Sequence, residues 1–297
     1  MIKIVNKILK PFRLKISRYE NSFSSRQRTT MQQLHDPALS YMHDPILQNQ
    51  LSEDLSEVAE AHFSNINLKE LSSIIPDFKK EVVNFLSCYS KRTIIDNTGG
   101  SGFHNAFWLY LLVRIFKPKL FVESGVWKGH TTRLIENAYQ NADILGFDLD
   151  LSKLEYKSGR SQFFEFDWSE YSFGKHHPDE SIVFFDCHVN HAKRIIECKE
   201  RGFRHLVFDD NPPAHVLYAY GMPGFPTANM VWNGWPNSKK NGDISWFWQG
   251  KEISCSFDMD KILEARGLMK KHVVFPNVGS RTKYGGFSFL TYVELNS

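Results

Sequence analysis

The chain has 297 residues, 42% hydrophobic and 14% aromatic, enough to bury a full core as one large domain or as one domain with an extension. A formal net charge of +3 is too mild for a nucleic-acid binder, which needs a basic face or stripe, and no apolar run approaches the ~18 residues of a membrane span. Cys88, Cys187, Cys198 and Cys255 form no C-x-x-C pair and the start carries no signal-peptide pattern, so the expectation is a soluble, cytoplasmic protein with free thiols and no zinc site.

Residues 1–10 place Ile2, Ile4, Val5, Ile8 and Leu9 at helical spacing beside Lys3, Lys7 and Lys10, and Pro11 stops the pattern. Arg13, Lys15, Arg18, Arg26 and Arg28 follow. Residues 1–43 therefore read either as a basic amphipathic leader touching an anionic membrane surface weakly, or as a solvated or targeting leader. Residues 44–118 read as a helical extension or lid. Leu51, Leu55, Val58 and Ala59 mark one helix face, Phe78, Val82, Val83, Phe85 and Leu86 a second, and Phe107 to Phe116 a strongly apolar helix ending before Pro118. Thr98-Gly-Gly-Ser-Gly102 is either a simple linker or a flap that closes over a ligand.

Residues 119–297 carry the main pattern. Leu120-Phe-Val-Glu123-Ser-Gly125-Val-Trp127-Lys-Gly129-His-Thr131-Thr predicts a strand, a tight glycine loop and a helix start. Such a loop brings backbone close to a ligand, and the helix start offers unpaired N–H groups. The spacing Glu-x-Gly-x-x-x-Gly is not the dinucleotide fingerprint, and a carboxylate there disfavours a pyrophosphate. S-adenosylmethionine, with its sulfonium and amino group, suits the demand.

Further apolar runs, Ile144 to Asp148, Phe163 to Asp167, Ile182 to Asp186 and His205 to Asp209-Asp210, read as strands, and each ends in an acid. With helical stretches between several of them, notably Val189 to Arg201, the fold class is α/β: a doubly wound, mainly parallel, seven-stranded Rossmann-like sheet with ligands at the strands' carboxyl ends. Asn211 to Gly250 reads as a long irregular insertion rich in aromatics, among them Tyr218, Tyr220, Phe225, Trp232, Trp235, Trp246 and Trp248. It forms either an acceptor wall or a satellite core. Asp260 to Arg266 reads as a helix stopped by Gly267, and His272 to Phe275 with Phe287 to Leu295 as two closing strands.

The run Phe121-Val-Glu-Ser-Gly-Val-Trp-Lys-Gly129 resembles the first motif of class I S-adenosylmethionine-dependent methyltransferases, and its Gly-Val-Trp-Lys-Gly core resembles the macrocin O-methyltransferase group. The resemblance spans roughly Leu120 to Asn211. It implies an O-methyltransferase acting on a hydroxyl of a sugar or glycosylated small molecule. It also implies a cofactor held by Glu123, Gly125, Trp127, Gly129 and Thr131, with Asp148 at the ribose and Asp167 with Trp168 beside the adenine. Asp148-Leu-Asp150 leaves the ribose acid open by two positions.

The resemblance further implies a divalent metal, Mg²⁺ foremost, on Asp186, Asp209 and Asp210. The family's second acid after the fourth strand is replaced by His188, which is base, ligand or neither; as a general base it would act beside Asp186. The chemistry agrees, since three carboxylates at neighbouring strand ends repel one another and a cation relieves them. Two other readings stand. One is a nucleotide-sugar glycosyltransferase using Asp148 and Asp150 as a metal-binding acid-x-acid. The other is a non-catalytic accessory protein of the same fold. Partners are a hydroxylated small molecule, no nucleic acid, and a homo-oligomer as an open option.

Overall fold

The computed structural model describes residues 44–65, 77–174, 176–214, 226–234, 243–248, 250–282 and 289–297. The basic leader lies outside them, as do Tyr218, Tyr220, Phe225 and Trp235. Among the described residues no helix is long and apolar enough to cross a membrane.

The strands are β1 (Leu120–Ser124), β2 (Asp143–Phe147), β3 (Gln162–Phe164), β4 (Ser181–Phe185), β5 (His205–Phe208), β6 (Asp243–Trp248), β7 (Lys251–Ser256), β8 (Met269–Val274) and β9 (Thr291–Leu295). Seven form one sheet in the order β3-β2-β1-β4-β5-β9-β8, while β6 and β7 pair separately. β1 to β5 run parallel, and β9 enters antiparallel between β5 and β8. This is the doubly wound, mainly parallel sheet expected from the sequence. β1 sits centrally, with Leu120 opposite Asp143 of β2 and Ser181 of β4.

The helices are α1 (Pro45–Asn65), α2 (Phe78–Ser90), α3 (Phe103–Phe116), α4 (His130–Ala138), α5 (His191–Glu200), α6 (Ala228–Asn233), α7 (Met259–Leu268) and α8 (Gly279–Thr282). Alternate strand residues feed two cores, as a side-chain period of two requires. Phe121, Ile144, Ile182, Phe184 and Val207 pack with α1 to α4 on one face. Val122, Leu145, Phe147, Val183, Phe185, Leu206 and Phe208 pack with α5, α6 and α7 on the other. Helices α1, α2 and α3 thus share a core with the sheet.

Three boundaries depart from the sequence pattern. α3 begins at Phe103, not Phe107, because Phe103, His104, Asn105 and Ala106 are buried too, and a helix covered on all sides shows no polar face to mark its start. α7 runs through Gly267 to Leu268, where Asn296 closes its end by donating its side-chain amide to the Gly267 carbonyl and its backbone N–H to that of Leu268, both at 2.8 Å. The insertion from Asn211 to Gly250 is not wholly irregular, since it contains α6 and β6, which pairs with β7 just beyond it. Within it Trp232 stacks on His272 and lies 3.7 Å beneath Arg266, which assigns that tryptophan to packing rather than to an acceptor wall.

Candidate active site

Beyond the carboxyl ends of β1, β2 and β4 lies a cavity of about 320 Å³. Its lining includes Gly99, Ser124, Gly125, Trp127, Asp148, Leu149, Phe166, Asp167, Asp186 and His188. Three of these are carboxylates, and no lysine or arginine is among the described lining residues.

The loop after β1 is built around Gly125. Its φ is +96°, and a Cβ there would stand 2.5 Å from the Asp186 carbonyl oxygen and 2.9 Å from the Cys187 nitrogen. The glycine is therefore demanded by the backbone leaving β4 rather than by a ligand's approach. Gly129, at φ +83°, caps α4 from a position where a Cβ would press Leu154 and Tyr156 at 2.9 Å, and it is not in the cavity wall. Between the glycines, Trp127 is held left-handed at φ +52° with its indole N–H donated to the Thr98 carbonyl at 3.2 Å.

Asp148 fastens this loop. Its Oδ2 accepts from the backbone N–H groups of Val126 at 2.9 Å and Trp127 at 3.0 Å. Asp150 is exposed and caps the turn at Leu151–Lys153 by accepting from the Ser152 N–H at 2.8 Å. Of the two acids only Asp148 reaches the cavity. Their separate engagements leave the acid-x-acid of a glycosyltransferase without support.

Glu123 differs from its expected place. It shares the strand face of Phe121, so it lies under α4, fully buried, and accepts a hydrogen bond from the Thr132 hydroxyl. Its other oxygen, Oε1, has no hydrogen-bond partner. Burial pushes its pKa up to about 8, with the Thr132 hydrogen bond opposing and the Asp148 charge adding to the rise. Thr131, on α4, is buried and likewise absent from the wall.

Asp167 lines the cavity, but its carboxylate is spoken for. Arg194 of α5, fully buried, donates to Oδ1 at 3.0 Å and to Oδ2 at 2.5 Å, and Ser169 adds its N–H and hydroxyl. Burial works to raise the Asp167 pKa, yet these donors together hold the carboxyl well below the usual range. Trp168 is fully buried against Phe173, Phe185 and Phe203, so the expectation that it flanks an adenine is not met by its position. Nothing in the helical pattern of residues 189–201 marked Arg194 as an anchor. Arg194→Met keeps most of the volume but strands Asp167, and should destabilise the fold by about 3 kcal/mol or more in denaturant titration. A carboxyl with depressed folded pKa stabilises above its unfolded pKa of about 3.9 and stops doing so in acid, so the gap between the two proteins should narrow below about pH 4.

In and beside this cavity, Asp186, His188 and Asp210 bring one ligand atom each within 4.8 Å of one another. His188 Nε2 is 2.8 Å from Asp210 Oδ2 and 3.9 Å from Asp186 Oδ1. Both His188 and Asp210 are left-handed, at φ +54° and +46°, a region in which Asp and His are enriched among side-chain-bearing residues. The hydrogen bond to Asp210 raises the His188 pKa, with burial opposing. Burial first, then the charges of Asp209, Asp210 and Glu123, push the Asp186 pKa well above the carboxylate range.

Asp209 departs from its expected role. Its Oδ2 accepts from the Ser101 hydroxyl at 2.6 Å, and its Oδ1 from the Asn105 amide at 2.5 Å and the Asp210 N–H at 2.7 Å. It is buried and stands outside the donor cluster, so His188 occupies the third place assigned to it from the sequence. Ser101 also stands 3.5 Å from Asp186 Oδ2, and Gly99 lines the cavity. The stretch 98–102 is therefore packed on the site and is not a plain linker. Ser101 and Asn105 went unnoticed because nothing local distinguishes them; only their long-range contact with β5 gives them a role.

No protein-family model matches the chain, and no curated protein matches it. Among solved structures, the SAH-bound methyltransferase PaMTH1 of Podospora anserina is 13% identical, with a TM-score of 0.40, over 80% of this chain and 96% of that one. The 1,6-didemethyltoxoflavin-N1-methyltransferase of Burkholderia thailandensis is 10% identical, with a TM-score of 0.38, over 72% and 86% of the two chains. The strand order β3-β2-β1-β4-β5-β9-β8, parallel except for β9, is itself a Rossmann-like arrangement. A structure described as "cmcI-N160 SAH" is 16% identical with a TM-score of 0.33, and the match covers 37% of this chain and 62% of that one, under two thirds of its length. Likenesses with TM-scores of 0.40 and below carry no argument about this chain.

Proposed function

We propose that the protein is an S-adenosylmethionine-dependent O-methyltransferase acting on a hydroxyl of a sugar-bearing small molecule, with a divalent cation beside the cofactor. The observation that carries this reading is the cavity at the centre of the sheet edge, walled by Asp148, Asp167 and Asp186 with no lysine or arginine among its described lining residues. A dinucleotide pyrophosphate or a nucleotide diphosphate would find no cationic side chain among the described lining residues, whereas Asp148 offers a carboxylate to a cationic or hydroxyl-bearing ligand.

The residues divide the work by position. Gly125, Trp127 and Asp148 form the cradle, and Leu149, 74% exposed, offers an apolar contact at its rim. Asp186 and Asp210 are the carboxylates suited to a cation, with His188 between them. The cofactor supplies an activated methyl group, and the cation supplies acidity to an acceptor hydroxyl and an orientation for its oxygen. Alignment and proton removal then account for most of the rate enhancement.

The test is a methyl-transfer assay with labelled S-adenosylmethionine across polyhydroxylated acceptors, in which labelled methyl ether appears only when acceptor and divalent ion are both present. His188→Asn keeps a hydrogen-bonding side chain and removes the imidazole, whether that group takes up the acceptor's proton or binds the cation. It should reduce turnover by about 10²-fold or more while affinity for S-adenosylmethionine, measured by calorimetry, stays nearly unchanged. Unaltered turnover would reduce His188 to a packing residue.

A further inference from the structure

Resting on the reading of this edge as a cation-assisted transfer site, we infer that His188 is itself a metal ligand, and that the site selects a transition-metal dication able to take a nitrogen donor over Mg²⁺. The donor cluster contains two carboxylates and one imidazole, Asp186, His188 and Asp210, with all three ligand atoms within 4.8 Å of one another. Magnesium demands oxygen ligands and retains its waters, whereas imidazole suits ions of the Fe²⁺, Co²⁺ and Zn²⁺ kind, with Mn²⁺ tolerating both.

The third carboxylate that would complete an all-oxygen set is withheld. Both oxygens of Asp209 accept from Ser101, Asn105 and the Asp210 N–H, at 2.5 to 2.7 Å. His188 stands where that carboxylate would be needed, its imidazole 2.8 Å from Asp210 and half-exposed toward the cavity it lines. Its side chain can therefore be reached by an ion entering from the cofactor side. Ser101 and Asn105 are positioning residues in this scheme, since they act by keeping Asp209 away from the ion.

Mn²⁺ serves as the probe because its coordination sphere is visible to pulsed electron paramagnetic resonance. On the folded, full-length protein, Mn²⁺ should show ¹⁴N coupling from one directly bound imidazole, replaced by ¹⁵N coupling in uniformly labelled protein. His188→Asn should abolish the coupling and weaken Mn²⁺ by about tenfold or more, while Mg²⁺ affinity, read by competition, moves much less. Mn²⁺ bound without nitrogen coupling in the wild type would overturn the inference, and that measurement does not depend on the variant folding. So would Mg²⁺ binding as tightly as Mn²⁺ with both equally indifferent to His188→Asn. S-adenosylmethionine titrated into the same samples separates the two levels. Cofactor binding with an oxygen-only ion removes this inference and leaves the methyltransferase reading intact; loss of cofactor binding as well removes both.

Discussion

Gly125→Ala should all but abolish S-adenosylmethionine binding and lower stability, an effect out of proportion to one methyl group. The added Cβ would lie 2.5 Å from the Asp186 carbonyl oxygen and 2.6 Å from its carbon, and both are backbone atoms at the end of β4 that cannot swing aside. The φ of +96° adds conformational strain of its own. Relief requires the β1 loop and the Asp186 backbone to part, which widens the cavity where the cofactor is expected to sit. A stability loss of about 2–4 kcal/mol and at least about 10²-fold weaker cofactor binding are expected from denaturant titration and calorimetry. Gly159→Ala is the control. A Cβ there meets nothing within 4 Å, and both measurements should stay at wild-type values.

Asp186→Asn should remove turnover by about 10³-fold or more, yet stabilise the metal-free protein. Asp186 is pressed by burial and by the neighbouring charges of Asp209, Asp210 and Glu123, which raise its pKa. A carboxyl whose folded pKa is raised binds its proton more tightly in the folded state, so stability is lost as pH rises through and above the ordinary carboxylate range. The amide carries no such charge and should flatten that loss. Divalent ion should raise the thermal midpoint of the wild type at neutral pH and leave that of the variant unmoved. A variant that still gains stability from the ion would remove Asp186 from the ligand set.

How much of this was written in the sequence varies with the range of the interaction that decides it. The parallel strands were legible because each is a short apolar run closed by an acid, and strands buried on both faces carry no polar alternation to obscure them. The glycine pair at 125 and 129 was legible as a loop, though its cause was not. What forbids a side chain at 125 is the backbone of residue 186, sixty-one positions away. The placement of Glu123 was within reach, since Phe121 and Glu123 share a strand face and Phe121 belongs to the core beneath α4. That parity turns the carboxylate toward Thr132 and away from the cavity.

The third place in the donor cluster was not legible. Asp209 and Asp210 are adjacent in sequence, and only the left-handed turn at Asp210 separates their carboxylates. One then reaches His188, and the other is held by Ser101 and Asn105 from the loop and helix preceding the sheet. Trp168 was misplaced for a related reason. β3 ends at Phe164, and Asp167 turns the chain into a short 3₁₀ segment that carries the indole into the core beside Arg194.

The decisive measurement is calorimetric titration of the 297-residue chain with S-adenosylmethionine, with and without divalent ion and beside NAD⁺ and a nucleotide sugar. S-adenosylmethionine should bind one-to-one at about 100 µM or tighter, within the range usual for enzyme substrates, and the two diphosphate-bearing ligands should give no heat. A folded protein that binds the nucleotide sugar or NAD⁺ in that range, and gives no heat with S-adenosylmethionine under either condition, would contradict the methyltransferase reading.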